Sequence, residues 1–388
     1  MNYSSVLGAE PTQVVEPTTV QEVADAVQHA REAGGAVFPW GAGTAQSYGY
    51  MPSCSGTVLY LSSLNRIIEH QPGDLVITVE AGATLAQVQE ALALHNQYLP
   101  LDPVHSSVAT IGGIIATDAQ GLSRVGAGTV RDWLIGLTVV DGWGRIVKGG
   151  GKVVKNVTGY DLPKLHVGAL GTLGIIVEAT FKVAPLPDGA RPLLLAGGGE
   201  TLVTRIHAET APAMSQLRMI SGGSEVLALL YSGRQEVVDQ QLQRAVTIAQ
   251  ESGGGPTRLP PGMPMPLTDT PPDSMLVVRV SGPPAETYRR HRQLEELALW
   301  RLIDSEPGVG VTDVHLRTGD ATQTLELLLT WAEHINASVA VQHAPRELRM
   351  GSLPLWYPLP PALPLMRRLK ETLDPDTILN PGRFVGQL

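Results

Sequence analysis

The chain has 388 residues, of which 43% are hydrophobic and 17% charged, and its formal net charge is −9. This composition is typical of a folded chain with enough length for two or three domains, and it excludes a disordered one. The acidic balance and the lack of a run of Lys and Arg argue against a surface for nucleic acid.

Cysteine content and hydropathy limit the location of the protein. The single cysteine, Cys54, excludes a disulfide framework and an iron–sulfur cluster held by cysteines of this chain. The first residues carry neither a basic start nor the apolar stretch of a secretion signal. No run of 18 apolar residues predicts a transmembrane helix. We therefore expect a cytoplasmic protein with no direct membrane insertion, and a peripheral association through a partner stays open.

The predicted elements begin with a helix after Thr19. Thr19 and Glu22 have the spacing of a capping box, apolar residues recur at helical spacing, and Gly34 follows the last turn. Asp141 to Gly144 predicts a hairpin turn. The other elements predicted in this half are strands at 36–39, 58–61, 75–80, 135–140, 145–147 and 174–183 and a helix near 85–95.

The pattern of predicted elements changes after a hinge at 184–189 that is rich in proline and glycine. Helices then alternate with strands, which predicts a mixed sheet with helices on one face. Residues 253–273 are predicted to be a long loop. The elements predicted here are helices near 234–251, 285–300, 322–335 and 361–373 and strands at 275–281, 311–316 and 338–343.

The first glycine-rich segment is Phe-Pro-Trp-Gly-Ala-Gly-Thr at 38–44. A strand runs into a turn whose glycines expose backbone N–H groups, an arrangement that suits a phosphate. The segment is neither the dinucleotide fingerprint nor a Walker loop. Alone it is equally compatible with a plain glycine turn.

Three further segments of small residues follow, at 105–118, 126–133 and 155–176. In the second segment, Gly112 and Gly113 let backbone pack against a flat ligand, and Thr110 offers a hydroxyl. One glycine loop is a weak signal. Four of them in this order, around alternating strands, are a specific one.

The ordered set resembles the FAD-binding domain of the vanillyl-alcohol-oxidase/p-cresol-methylhydroxylase superfamily, over residues 10–185 and the C-terminal Leu-Asn-Pro-Gly-Arg at 379–383. More narrowly, the stretches at 155–162, 171–174 and 342–349 are similar to those of the E subunit of bacterial glycolate oxidases. The resemblance implies an α+β fold with a two-part PCMH-type FAD-binding domain (1–188), a smaller mixed α/β cap domain (189–365) and a C-terminal segment (366–388) that returns to the FAD domain.

The resemblance also implies which residues contact the cofactor. FAD is expected to be bound non-covalently, because no His or Cys stands beside Thr44. Cys54 is expected to be an ordinary free thiol that does not attach the cofactor. Trp40 and Ala42 depart from the residues that are usual at these positions, Arg and Gly, and weaken the expected phosphate contacts. The implied cofactor-binding residues are Pro39, Trp40, Gly41, Ala42, Gly43, Thr44, Ala45, Ser107, Thr110, Gly112, Gly113, Ala116, Thr117, Gly171, Gly174, Ile175 and Ile176.

Catalytic residues are harder to assign. The chain lacks the His-Gly-Asp-Gly-Asn motif and the paired metal-binding His residues of related 2-hydroxy-acid dehydrogenases, and no His-x-x-x-His occurs, so no metal is expected. His315, His334 and His343 are each expected to be hydrogen-bonded sheet or surface residues. His343 and Arg349 are the catalytic candidates, because His343 lies in a family-like stretch and Arg349 could pair with a carboxylate. For Arg349, a solvated or partner-facing charge is the alternative.

The function that the resemblance implies is a FAD-binding subunit of a glycolate (2-hydroxy-acid) dehydrogenase or oxidase complex. Hydride would pass to the flavin and electrons would leave through partner flavin and iron–sulfur subunits. Two alternatives stay open: a stand-alone flavin dehydrogenase of a small hydroxy acid, and a non-catalytic structural subunit with a decayed flavin site. The preserved glycines argue against decay, and the missing metal motif argues against autonomous catalysis.

Overall fold

The computed structural model describes residues 3, 7–8, 10–52, 54–152, 160–220, 224–258, 276–297, 302–316 and 320–388. Much of the glycine-rich segment at 155–162 and of the loop predicted at 253–273 lies outside the described residues. The helices are Val20–Glu32, Leu85–Ala93, Ile111–Thr117, Arg124–Ala127, Val130–Trp133, Pro163–His166, Gly199–Glu209, Gln235–Glu251, Thr287–Glu296, Ala321–His334, Arg346–Met350 and Leu363–Leu373.

Nineteen strands are formed by the described residues, and they are numbered in chain order. They are β1 Gln13–Val15, β2 Ala36–Trp40, β3 Gly56–Tyr60, β4 Ile67–Gln71, β5 Val76–Glu80, β6 Gln97–Tyr98, β7 Leu134–Val140, β8 Ile146–Gly150, β9 Ile175–Lys182, β10 Ala184–Pro185, β11 Gly189–Gly197, β12 Met214–Ile220, β13 Ser224–Gly233, β14 Gly254–Pro256, β15 Leu276–Ser281, β16 Leu302–Glu306, β17 Val311–Leu316, β18 Ser338–His343 and β19 Trp356–Tyr357.

The amino-terminal half contains two main sheets. One is a parallel sheet of order β1-β3-β2, and the other is a five-stranded antiparallel sheet of order β4-β5-β9-β7-β8. The helix Val20–Glu32 has its N-cap at Thr19, as predicted, and it buries Val23 and Val27. These side chains share one core with Val37 of the first sheet and Val177 of the second, so the helix joins the two sheets.

The carboxyl-terminal half forms a nine-stranded sheet, the cap sheet, of order β14-β11-β13-β12-β16-β17-β15-β18-β19. All its described pairings are antiparallel. The expectation of a mixed sheet was therefore wrong. Helices that alternate with strands are compatible with either strand direction. Six strands of this sheet, β11, β12, β13, β14, β16 and β19, were not among the predicted elements.

The last residues return to the amino-terminal sheet. After the helix Leu363–Leu373, Leu379 pairs in parallel with Val37 of β2. A buried ion pair holds this return: Lys370 Nζ donates to Asp374 Oδ2 at 2.5 Å and to the carbonyl oxygens of Thr172 and Leu379 at 2.8 Å. Asp374 also accepts from the backbone N–H groups of Ile378 and Leu379.

Replacement of Lys370 by Met is expected to destabilise the protein by about 3–5 kcal/mol, because it leaves the carboxylate of Asp374 buried without its cation. The side chains of Lys370 and Asp374 are 5% and 0% exposed. Urea and thermal unfolding measure the change. Arg31→Met is the control, because the Arg31–Asp376 pair on the same segment is 35% and 48% exposed, and its loss should cost less than about 1 kcal/mol. Equal losses in the two variants would contradict this account.

Candidate cofactor site

Four stretches that are distant in sequence line one cleft. They are the turn after β2, the start of the helix Ile111–Thr117, the turn before β9 and the C-terminal Asn380 and Arg383. The cleft-lining residues are Pro39, Trp40, Gly41, Ala42, Gly43, Thr44, Ala45, Gln46, Leu61, Ala81, Thr110, Gly112, Gly113, Ala116, Thr117, Leu170, Gly171, Gly174, Ile176, Asn380 and Arg383.

Glycine is required where two of these stretches touch. A Cβ at Gly41 would lie 2.2 Å from Thr110 Oγ1, closer than any real contact. Gly43 has a positive φ of 80°, and its Cβ would lie 3.0 Å from Trp40 Nε1. The turn after β2 therefore packs directly against the side chains of Thr110 and Trp40, and glycine is required at these two positions by that close packing.

Three buried polar atoms of cleft-lining residues have no hydrogen-bond partner among the described residues: Trp40 Nε1, Asn380 Oδ1 and Arg383 Nε. A buried polar atom without a partner costs about 1–3 kcal/mol. Three of them around one cleft indicate that a polar ligand supplies the missing bonds. Two are donors and one is an acceptor, so the ligand needs both kinds of group.

Arg383 makes the cleft electropositive. Its side chain is 4% exposed, and its hydrogen bonds go to Gln46 Oε1 and to the carbonyl oxygens of Gln46 and Tyr48. No salt bridge of Arg383 with a carboxylate occurs in the part of the chain that the structure describes. Burial, and then the charge of nearby Arg349, lower the pKa of Arg383 to about 9. An anion in the cleft would stabilise this buried cation.

A second cavity of about 560 Å³ opens from the cleft towards the cap sheet. The two share Thr44, Ala45, Gly113 and Thr117 as lining residues. The candidate base His343 lines this cavity, and its Nδ1 lies 2.7 Å from Ser47 Oγ. Burial, with a smaller contribution from the Arg349 charge, lowers the pKa of His343, which keeps the ring neutral near pH 7.

Ion pairs of the cap sheet form the far wall of this cavity. Arg218 contacts Asp304 through two hydrogen bonds of 2.5 and 2.6 Å, and Arg279 contacts Asp313 through two of 2.8 Å. Burial raises the pKa of Asp304 in spite of its arginine partner. Burial acts in the same direction on Asp313, but the charge of Arg279 outweighs it and lowers that pKa.

Not every residue implied by the family resemblance lines the cleft. Ser107 is exposed and outside it, and the side chain of Ile175 is fully buried in the core below it. Arg349 is 4% exposed and donates to the carbonyl oxygens of Gly49 and Gln46, so it supports the loop after β2 rather than lining either cavity. Cys54 is exposed and lines neither cavity.

Six cleft-lining residues were not among the implied cofactor contacts: Gln46, Leu61, Ala81, Leu170, Asn380 and Arg383. Only Arg383 carried a signal, because it follows an Asn-Pro-Gly turn. Asn380 reaches the cleft because its side chain donates to the Leu170 carbonyl at 2.6 Å.

Comparison with known proteins gives two family matches. Residues 11–150 match the FAD binding domain, and residues 357–384 match the C-terminal domain of FAD linked oxidases. The fold is shared with alkyldihydroxyacetonephosphate synthase, with a TM-score of 0.70, 18% identity, and coverage of 96% of this chain and 77% of that one.

Several relatives of known name are similar in sequence. Glycolate oxidase subunit GlcD of Bacillus subtilis is 34% identical over 52% of this chain and 44% of its own length. D-lactate dehydrogenase of Archaeoglobus fulgidus is 28% identical over 98% of this chain and 93% of its own. Glycolate oxidase subunit GlcE of Escherichia coli K12 is 39% identical over 36% and 40%. The match thus spans less than half the length of GlcD and of GlcE.

The chain belongs to the FAD-linked oxidoreductases of the vanillyl-alcohol-oxidase/p-cresol-methylhydroxylase type. Its cofactor is FAD. The cleft fits this group: Arg383 is a buried cation for a diphosphate, Trp40 and Asn380 offer unsatisfied polar atoms, and the glycine turn after β2 lines the cleft. None of the helices that the structure describes is long and apolar enough to cross a bilayer.

Replacement of Arg383 by Met is expected to weaken FAD binding by roughly tenfold to a hundredfold, the range for losing a hydrogen bond to a charged group. Quenching of flavin fluorescence on titration measures the dissociation constant. Arg368→Met is the matched control, because Arg368 is exposed on the helix Leu363–Leu373, and its removal should leave the affinity unchanged. Equal affinities of the Arg383 variant and the wild type would contradict the assignment.

FAD affinity is also expected to fall as the pH rises through about 9. The pKa of Arg383 lies near that value in the free protein, and a bound diphosphate favours the charged form, so affinity is highest below that pH and is lost above it. Dissociation constants between pH 7 and 10 test this. The Arg383→Met variant should lack the part of the pH dependence that comes from the guanidinium. Parallel curves for the two proteins would refute the role of this cation.

Proposed function

We propose that this chain is a FAD-binding subunit of a 2-hydroxy-acid dehydrogenase complex of the glycolate oxidase type. Relatives named glycolate oxidase subunits, D-lactate dehydrogenase and D-2-hydroxyglutarate dehydrogenase support the hydroxy-acid class. When bound, FAD would supply the electron acceptor of such a reaction. The residues that line the cleft would hold that cofactor beside the second cavity.

The charge of the second cavity is the observation that favours a role as a subunit over a role as an independent enzyme. Its described lining includes five carboxylates and two guanidinium groups, and each of these guanidinium groups is already paired with a carboxylate. A small hydroxy acid is itself an anion. Of the five carboxylates, Glu306 is likewise paired with an arginine, Arg124. The wall therefore offers no uncommitted cation among its described residues for the substrate carboxylate. The five carboxylates are Asp102, Asp118, Asp304, Glu306 and Asp313.

Oxidation of the substrate is therefore assigned to a homologous flavin subunit, and this chain takes part in electron relay or in assembly with it. An iron–sulfur subunit would have to be a separate chain, since Cys54 is the single cysteine here. We place the complex in the cytoplasm, with any membrane association made through partners.

One observation favours the stand-alone dehydrogenase. His343 faces the second cavity as a neutral imidazole, which is the form that a general base needs. Its contact with Ser47 would orient the ring. The decayed structural subunit is the weaker alternative, because the cleft keeps three unsatisfied polar atoms that a bound ligand would satisfy.

The purified chain, reconstituted with FAD, is expected to oxidise glycolate and D-lactate at least about 100-fold more slowly than the complex with its partner subunits, since a positioned base alone contributes about 10²–10⁴-fold. Turnover with an artificial electron acceptor measures this. His343→Asn in the assembled complex should leave turnover unchanged. Fast turnover by the isolated chain that is lost in His343→Asn would instead establish the stand-alone enzyme.

A further inference from the structure

Two buried polar atoms of residues that line the second cavity have no hydrogen-bond partner among the described residues. They are Gln216 Oε1 on β12 and His315 Nδ1 on β17. The two residues are 3% and 6% exposed. Buried polar atoms without a partner are uncommon in folded proteins, because the lost hydrogen bond is costly. Both atoms therefore indicate that a polar molecule in this cavity completes the missing bonds.

A row of paired charges lies between these two atoms. Its members stand opposite one another on adjacent strands, and they are Arg218 of β12, Asp304 of β16, Asp313 of β17 and Arg279 of β15. Gln216 lies two residues to one side of this row and His315 two residues to the other. At about 3.3 Å per residue, they are roughly 13 Å apart along the strand direction. A molecule that meets both would extend across the row.

Both unpartnered atoms are hydrogen-bond acceptors. Gln216 Oε1 is an amide oxygen. Burial lowers the pKa of His315 in spite of the nearby charge of Asp304, so its ring is neutral near pH 7. His315 Nε2 lies 4.0 Å from Asp304 Oδ2, which favours the proton on Nε2 and leaves a lone pair on Nδ1. The bound molecule therefore has to donate hydrogen bonds at both positions.

The arginines of the row add hydrogen-bond donors between these acceptors. Arg218 and Arg279 each use Nε and Nη2 to bind their carboxylate. The Nη1 groups of both arginines form no hydrogen bond with the described residues. The two guanidinium charges are balanced by Asp304 and Asp313, but free N–H groups remain on residues that line the cavity.

Hydroxyl groups match this wall better than charged groups do. A hydroxyl both donates and accepts, so several of them can donate to Gln216 and His315 and accept from the free N–H groups of the arginines. A carboxylate only accepts, and it would lie against the carboxylates of the row. An ammonium only donates, and it would lie against the guanidinium groups.

We propose that the second cavity binds an uncharged polyhydroxylated molecule, of the sugar-alcohol class, across the row of paired charges. Its volume of about 560 Å³ is in the range of sites for small molecules. Because the cavity adjoins the cofactor cleft, the bound polyol would lie beside FAD. The site is formed by this chain alone, so binding is expected whether the chain acts as a subunit or as an independent enzyme.

The test uses the full chain, reconstituted with FAD, and two polyols of different length, D-sorbitol and maltitol. Calorimetric titration measures binding. D-Gluconate, maltobionate and D-glucamine are the matched probes, because each differs from one of the polyols by a charged group at one end. We expect at least one polyol to bind with a dissociation constant of about 1 mM or lower, and at least about tenfold more tightly than its charged counterparts.

Replacement of Gln216 by Met removes the acceptor and keeps the length of the side chain. It is expected to weaken polyol binding by about tenfold, because one hydrogen bond is lost. The thermal unfolding midpoint should stay the same or rise, because an unsatisfied buried atom is removed, whereas a purely structural role would lower it. Gln243→Met is the control, because Gln243 is exposed on the helix Gln235–Glu251 and lines neither cavity.

Three results would overturn the proposal: no binding of either polyol, equal or tighter binding of the charged probes, or an unchanged polyol affinity in Gln216→Met. The first would mean that water alone fills the cavity. If Gln216→Met does not fold, the comparison of polyols with charged probes on the wild-type chain decides. Turnover of glycolate and D-lactate tests the subunit role separately, so the failure of one proposal is distinguishable from the failure of the other.

Discussion

The buried ion pair of Lys370 and Asp374 decides where the end of the chain lies, and the cofactor cleft depends on that position. The pair forms hydrogen bonds with the carbonyl oxygens of Thr172 and Leu379 and with backbone N–H groups after the last long helix. Asn380 and Arg383 are thereby brought against the glycine turn that follows β2. Without this return, the cleft would lose its buried cation and two of its three unsatisfied polar atoms.

The cofactor cleft and the second cavity differ in the charges that line them. The cleft holds the cation of Arg383 without a carboxylate partner among its described lining residues, which suits a diphosphate. The two arginines that line the adjoining cavity are both paired with carboxylates, so its described lining leaves no uncommitted guanidinium for a small anion. This difference is what supports the proposed role as a FAD-binding subunit.

The two faces of the cap sheet also carry different polar chemistry. Asp304 and Glu306 of β16 face the cavity, whereas Ser305 between them orients His291 on the other face.

The sequence by itself determined the local elements and the family. Capping at Thr19 and Thr84, alternation in the strands and the order of the glycine segments are local patterns, so the first helices, the FAD-binding class and most residues of the cleft could be predicted. Tertiary structure alone decided the antiparallel cap sheet, the place of Asn380 in the cleft and the neutralisation of Arg218 and Arg279 by carboxylates. These features depend on contacts between residues that are far apart in the chain, and local sequence patterns do not predict which distant side chains will be in contact.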